Sequence, residues 1–177
     1  MKILRATRRH VAPMAELMAA SPLLRRYGVT RAGAAASLEE ALRARELVLI
    51  AADAGTVVGL AWVIRTSALD RSAYLRLLLI GAGAQSRGLG AALLVRAERD
   101  ARASGSRHLV LLVTRTNRRA RSFYERHGYT RVGDIPGFVR PGIAESLYVK
   151  SWGRPAARTA ADARTAGSAT RSVSAAR

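Results

Sequence analysis

Residues 81–98 read GAGAQSRGLGAALLVRAE, glycines and two arginines set between the apolar run Leu77–Ile80 and a stretch of helical periodicity. The fold turns on whether these glycines only reverse the chain or also cradle an anion. A helix that begins near Gly88 presents unpaired backbone N–H groups and the positive end of its dipole, and both favour a bound anion. Gly88 and Gly90 have no β-carbon to keep a phosphate away from those N–H groups, and Arg87 supplies a charge-assisted hydrogen bond. Two common nucleotide motifs do not fit. The dinucleotide fingerprint needs a small residue where Leu93 stands, and the P-loop needs a lysine that this stretch lacks. What remains is Gln85-Ser86-Arg87-Gly88-Leu89-Gly90, a Gln-x-x-Gly-x-Gly pattern after a strand.

Outward from this stretch, periodicity predicts the neighbouring elements. Tyr74–Ile80 is nearly continuous in apolar residues and reads as a central strand, followed by a helix over Gly88–Ala103 that Ser104-Gly105 stops. His108–Val113 is a second apolar strand, Asn117–His127 a short helix ended by Gly128, and Ile143–Ser151 a last strand. Upstream, Lys2–Ala6 suits a strand. Thr7–Ala20 carries Val11, Met14, Ala15, Leu17 and Met18 at helical spacing, and Ser21-Pro22 ends or kinks that helix. A second helix over Arg31–Arg45 places Leu38, Ala41 and Leu42 together. Leu47–Ala52, the turn Asp53-Ala54-Gly55 and Thr56–Ile64 form a hairpin. Hairpins mixed with crossovers imply an α/β domain whose sheet has parallel and antiparallel pairs.

Composition narrows the function. The chain of 177 residues suits one domain, predicted over residues 1–153, and its apolar runs are too short to span a bilayer. The absence of cysteine removes disulfides and cysteine-held metals, and His10, His108 and His127 show no ligand spacing, so no metal is expected. Charge interrupts residues 1–10 before any signal-peptide apolar run, which predicts a cytoplasmic protein. Residues 154–177, rich in Ala, Arg, Ser and Thr, read as a disordered basic tail. The net charge of +18 is spread almost wholly as arginine along the chain. With aromatics at only 5%, it predicts nonspecific adhesion to polyanions rather than a specific nucleic-acid site.

The segment from Leu75 to Leu94, with Gln85–Gly90 at its centre, resembles the pyrophosphate-binding segment of the GNAT N-acetyltransferase superfamily. Downstream, Asn117-Arg118-Arg119-Ala120-Arg121-Ser122-Phe123-Tyr124 and the following Gly128-Tyr129 resemble that family's second signature, in the right order and each after a predicted strand. The resemblance implies a twisted mixed sheet of about seven strands flanked by about four helices, with central strands splayed apart into a coenzyme A cleft. It also implies acetyl-CoA as cosubstrate. Leu78, Leu79 and Ile80 would lie along the pantetheine arm, and Gln85, Ser86, Arg87, Gly88, Leu89, Gly90 and Ala91 would hold the pyrophosphate. Asn117 would contact the coenzyme A arm, and Tyr124 would donate a proton or a hydrogen bond to the sulfur.

Each of these positions also has a plainer reading. Asn117 suits a helix N-cap, Tyr124 suits a core face with Ala120, Phe123 and His127, and Arg87 suits a solvated loop. No general base is assigned. Leu112 stands where some relatives carry a glutamate, which leaves Glu125, Asp134 and Glu145 as remote candidates or a water chain. Residues 128–142 resemble a subgroup that includes tabtoxin-resistance and other small-molecule acetyltransferases, so a small-molecule amine is the expected acceptor. Arg65, Arg76 and Arg140 would favour an acceptor bearing an anionic group. Alternatives are an acyl-CoA sensor without turnover and a protein N-acetyltransferase. The resemblance also makes the last strand, Ile143–Ser151, a candidate homodimer surface.

Overall fold

The computed structural model describes residues 1–152, so the expected tail at 154–177 lies outside the described residues. Seven strands form one sheet: β1 (Lys2–Arg5), β2 (Leu47–Asp53), β3 (Thr56–Arg65), β4 (Ser72–Ile80), β5 (His108–Thr114), β6 (Thr130–Pro136) and β7 (Ala144–Ser151). Their order is β1-β2-β3-β4-β5-β7-β6, and every neighbouring pair is antiparallel except β4–β5. The helices are α1 (Val11–Ala20), α2 (Pro22–Arg26), α3 (Arg31–Arg43), α4 (Ala68–Arg71), α5 (Leu89–Ala103) and α6 (Arg118–Arg126).

The sheet is covered on both faces, which is why β2 runs as LVLIA without alternation. On one face Leu49, Ala61 and Leu109 pack with Leu93, Leu94 and Ala97 of α5 and with Tyr124 and Tyr129 at α6. On the other, Ile50, Leu60 and Trp62 pack with Met14, Ala15 and Met18 of α1 and Leu38 of α3. The β2–β3 hairpin turns at Ala54 and Gly55, both at positive φ, as a tight turn between twisted strands requires.

Six helices stand where about four were expected, and both additions are short. Ser21 does interrupt the first helix, but its hydroxyl then caps a new one by accepting from the Leu24 N–H at 3.4 Å, with Pro22 in the first turn. The segment α4 is a left-handed turn, with φ of +49° at Leu69, +55° at Asp70 and +58° at Arg71, and no propensity signal marks it. Boundaries shift as well. Arg8–His10 is a 3-10 turn ahead of α1, and α3 ends at Arg43 because Arg45 turns left-handed at φ +57°. The strand expected from Tyr74 begins at Ser72, and Asn117 and His127 are the caps of α6.

The site-forming event occurs in the middle of β4. Trp62 of β3 faces Leu77 and Val63 faces Leu75, so Arg76 is an extra residue, a β-bulge. Ala73 and Leu75 point to the α5 face before it; Leu78 and Ile80 do so after it, while Leu77 and Leu79 turn to the α1 face. Pairing of β4 with β5 covers only Ser72–Leu75 against His108–Leu111. Beyond that the two parallel strands part, and a gap opens through the sheet.

Candidate active site

A cleft of about 600 Å³ occupies this gap. Leu77 and Leu78 of β4, Leu112 and Val113 of β5, and Asn117, Ala120 and Tyr124 line it. Residues from Leu23 to Ser37, with Trp62, Tyr74, Arg76, Val139 and Glu145, complete the lining.

The loop after β4 passes through a 3-10 turn at Ala82–Ala84 and reaches α5 through Ser86 at φ +65° and Gly88 at φ +73°. Gly88 is the N-cap of α5 in a left-handed conformation, which accounts for glycine there without any ligand. Gly90 differs. Its φ is ordinary, and an added β-carbon would meet the Phe123 ring at 3.6 Å, a normal contact, so packing within the protein does not demand glycine. The first helical bond runs from the Ala92 N–H to the Gly88 carbonyl at 3.0 Å, so the N–H groups of Leu89, Gly90 and Ala91 precede the ladder and remain free for an anion.

The side chains of this loop sort themselves. Gln85 donates weakly to the Ile80 carbonyl at 3.4 Å and accepts from the Arg119 guanidinium at 2.9 Å, which ties the loop to α6. Arg87 is exposed and lies 3.7 Å from Asp53, a solvated pair of small energetic weight. Leu89 is buried in the core, so only its backbone faces the loop.

Asn117 caps α6, its Oδ1 accepting from the Ala120 N–H at 3.1 Å, while the residue also lines the cleft. The capping reading and the binding reading therefore share one side chain, because a single oxygen caps and the amide NH2 stays available. Tyr124 is 8% exposed and sits edge-on to Phe123 and Tyr129 at ring separations of 5.2 and 5.5 Å. It belongs to the core and lines the cleft at once, and its hydroxyl has no hydrogen-bond partner among the described residues. Burial, reinforced by the nearby Tyr74, pushes its phenol well above the ordinary tyrosine value, so it stays protonated at neutral pH.

The rest of the cleft lining holds groups that sequence reasoning left out or kept remote. Tyr27 donates a short hydrogen bond to Glu145 Oε1 and lies 2.6 Å from the Thr114 hydroxyl. Burial, then the Glu145 hydrogen bond, holds the Tyr27 phenol above its usual value, against an opposing Thr114 contact. Tyr74 is also raised, first by burial, with Arg76 pulling its pKa down and Glu145 pushing it up. Arg76 lies over the Trp62 ring at 4.6 Å.

Of the three carboxylates considered as bases, Glu145 alone lines the cleft; Glu125 accepts from Tyr148, and Asp134 accepts from Ser146 and pairs with Arg131. Of the three arginines considered for acceptor binding, Arg76 alone lines it; Arg140 donates to the Arg26 carbonyl, and Arg65 lies in a separate pocket with Arg45 and Arg71. Among the described residues no three His, Cys, Asp or Glu side chains converge, and no helix is long and apolar enough to cross a membrane.

The family model described as acetyltransferase (GNAT) family matches residues 14–129. Solved structures share the fold at low identity. An aminoglycoside 6'-N-acetyltransferase complexed with coenzyme A aligns with a TM-score of 0.75 and 17% identity over 88% of this chain and 99% of its own. The ribosomal-protein-alanine N-acetyltransferase of Brucella melitensis aligns at 0.71 and 17% over 86% of this chain and 100% of its own. An N-acetyltransferase of Thermoplasma acidophilum in complex with coenzyme A aligns at 0.69 and 16% over 85% and 98%. No curated protein gives a significant sequence match.

Proposed function

Because the chain belongs to the acetyltransferase (GNAT) family and is on that ground an acetyl-CoA-dependent N-acetyltransferase, we propose that it acetylates the primary amine of a small molecule, with Tyr124 as general acid. The observation that carries this reading is the early end of the β4–β5 pairing, which opens a cleft beside a buried, protonated phenol that has no hydrogen-bond partner among the described residues.

In this reading the free N–H groups of Leu89, Gly90 and Ala91, with Gln85, Ser86, Arg87 and Gly88, receive the pyrophosphate. The backbone of Leu78, Leu79 and Ile80, which pairs only with β3 along this stretch, receives the pantetheine arm. The amine nitrogen, as the neutral free base left when the ammonium form gives a proton to solvent, attacks the thioester carbonyl carbon, the C–S bond breaks, and its electron pair leaves on sulfur. Tyr124 passes its proton to that sulfur, and the proton shed by the acetylated nitrogen restores the phenol. The products are an amide and the free coenzyme A thiol.

Asn117 divides its two roles by substitution. Asn117→Asp keeps the capping oxygen and adds a charge that suits a helix N-terminus, but it loses the NH2 donor. We expect its melting temperature to stay within about 2 °C of wild type while KM for acetyl-CoA rises several-fold, as read by thermal melts and initial rates. An unchanged KM would leave Asn117 as a cap alone.

Support for a small acceptor comes from the apolar, partly enclosed walls of the cleft and from likeness to an aminoglycoside acetyltransferase; likeness to an enzyme of ribosomal protein alanine makes a protein N-terminus the competing reading. The test is thiol release from acetyl-CoA with aliphatic and aromatic amines, polyamines, aminoglycosides and an alanine-initiated peptide. Acceleration by small amines supports the proposal. Acceleration by the peptide alone replaces the acceptor, and tight acetyl-CoA binding with no acceleration by any of them favours the sensor.

A further inference from the structure

We infer that Glu145 is the seat for the acceptor's ammonium group, and that the acceptor is therefore a primary amine carried on a compact apolar body. The inference rests on the acetyltransferase reading of the cleft and adds the acceptor's charge and shape.

The argument begins with a misplaced charge. Among the described residues Glu39, Glu40, Glu46, Glu125 and Glu145 have no ion-pair partner, and of these only Glu145 is buried, in a chain of 30 basic residues against 12 acids. Glu145 is 3% exposed, and among the described residues no Lys, Arg or His lies within ion-pair distance of it. A buried carboxylate is costly unless it is paired. Its protein partner is the Tyr27 hydroxyl, which donates to Oε1. Because that phenol has only one proton, the Thr114 hydroxyl must donate to the Tyr27 oxygen at 2.6 Å, and the relay is used up on one carboxylate oxygen. Oε2 has no hydrogen-bond partner among the described residues, and Glu145 lines the cleft.

Strand register explains its aim. Glu145 of β7 lies opposite Thr114 of β5 at the point where β5 has already parted from β4. Tyr27 comes from the end of α2, on the α1 face of the sheet, so three elements hold one carboxylate at the gap. Around it, Leu23, Leu24, Val29, Trp62 and Val139 offer apolar surface, suited to an aliphatic or aromatic body rather than a heavily hydroxylated one. Arg76 lies over the Trp62 ring and is not within ion-pair distance of Glu145.

The test titrates the full chain, free and saturated with coenzyme A, with phenethylamine and with 2-phenylethanol, its neutral counterpart, by calorimetry. Wild type is expected to bind the amine at least tenfold more tightly than the alcohol. Glu145→Gln, which keeps the shape and can still meet Tyr27, is expected to lose at least tenfold for the amine and nothing for the alcohol. Equal affinity for amine and alcohol in wild type, equal amine affinity in wild type and variant, or no amine binding would overturn the seat. If the variant fails to fold, the wild-type comparison decides alone. Failure of coenzyme A to bind wild type would instead sink the acetyltransferase reading, while the free-protein titration still reports on Glu145.

Discussion

Tyr124→Phe is expected to lower kcat by about 10²- to 10⁴-fold, the range that a positioned general acid contributes, while acetyl-CoA affinity changes by less than about threefold. The expectation follows from how little else the hydroxyl does. The ring supplies the packing, edge-on to Phe123 and Tyr129, and phenylalanine preserves it. The hydroxyl makes no hydrogen bond among the described residues, so its removal leaves no orphaned partner and the melting temperature should hardly move. The pH profile adds a check. Burial raises the Tyr124 pKa, so the phenol stays protonated throughout the neutral and mildly alkaline range, and a fall in wild-type rate below pH 10 must come from another group. Rapid-quench or thiol-release rates at saturating acetyl-CoA would measure this. A variant with wild-type kcat removes Tyr124 from the chemistry and leaves it a core residue.

How far the site can be read from the sequence depends on the range of the interactions that build it. The proposed anion cradle is local: a strand, a loop and a helix start lie within the twenty residues from Leu75 to Leu94, and glycines at 88 and 90 signal both the turn and the open N–H groups. Tyr124 and Asn117 are local to one short helix, and its cap and face are read from spacing. The acceptor side is different in kind. Tyr27, Thr114 and Glu145 are 87 and 118 positions apart along the chain as hydrogen-bond partners, and they meet only because β5 pairs with β7 and the end of α2 reaches that pair. No periodicity encodes that. Arg76 also depends on a bulge: with regular pairing it would alternate with Leu75 and Leu77 on a flat strand, whereas the extra residue sets it over Trp62 and ends the β4–β5 ladder. Bulges arise from competition between registers across strands, so a single strand's sequence carries little trace of them. The left-handed turn at 68–71 is the same case on a smaller scale, since Leu69, Asp70 and Arg71 have no glycine among them to announce it.

Gly90→Glu is expected to abolish acetyl-CoA binding, a loss of about two orders of magnitude or more in affinity, without weakening the fold. The position allows these effects to separate, and Gly88 does not. At Gly88 the φ of +73° makes any side chain a strain on the backbone, so lost binding there could report a damaged helix start. At Gly90 the backbone is helical, and a new β-carbon meets only Phe123 and Ile80 at 3.6–3.8 Å, within ordinary contact. Replacing glycine within a first helical turn recovers helix propensity, and a carboxylate there is favoured by the dipole, together about 1 kcal/mol of stabilisation. The melting temperature should therefore hold or rise slightly. The same carboxylate, however, occupies the space before the N–H groups of Leu89, Gly90 and Ala91 and repels a pyrophosphate from the field that would otherwise attract it. Calorimetric titration of acetyl-CoA into wild type and variant, beside thermal melts of both, separates the outcomes: a stable variant without binding assigns the glycine to the ligand, and a variant that binds like wild type reduces residues 85–91 to a turn between strand and helix.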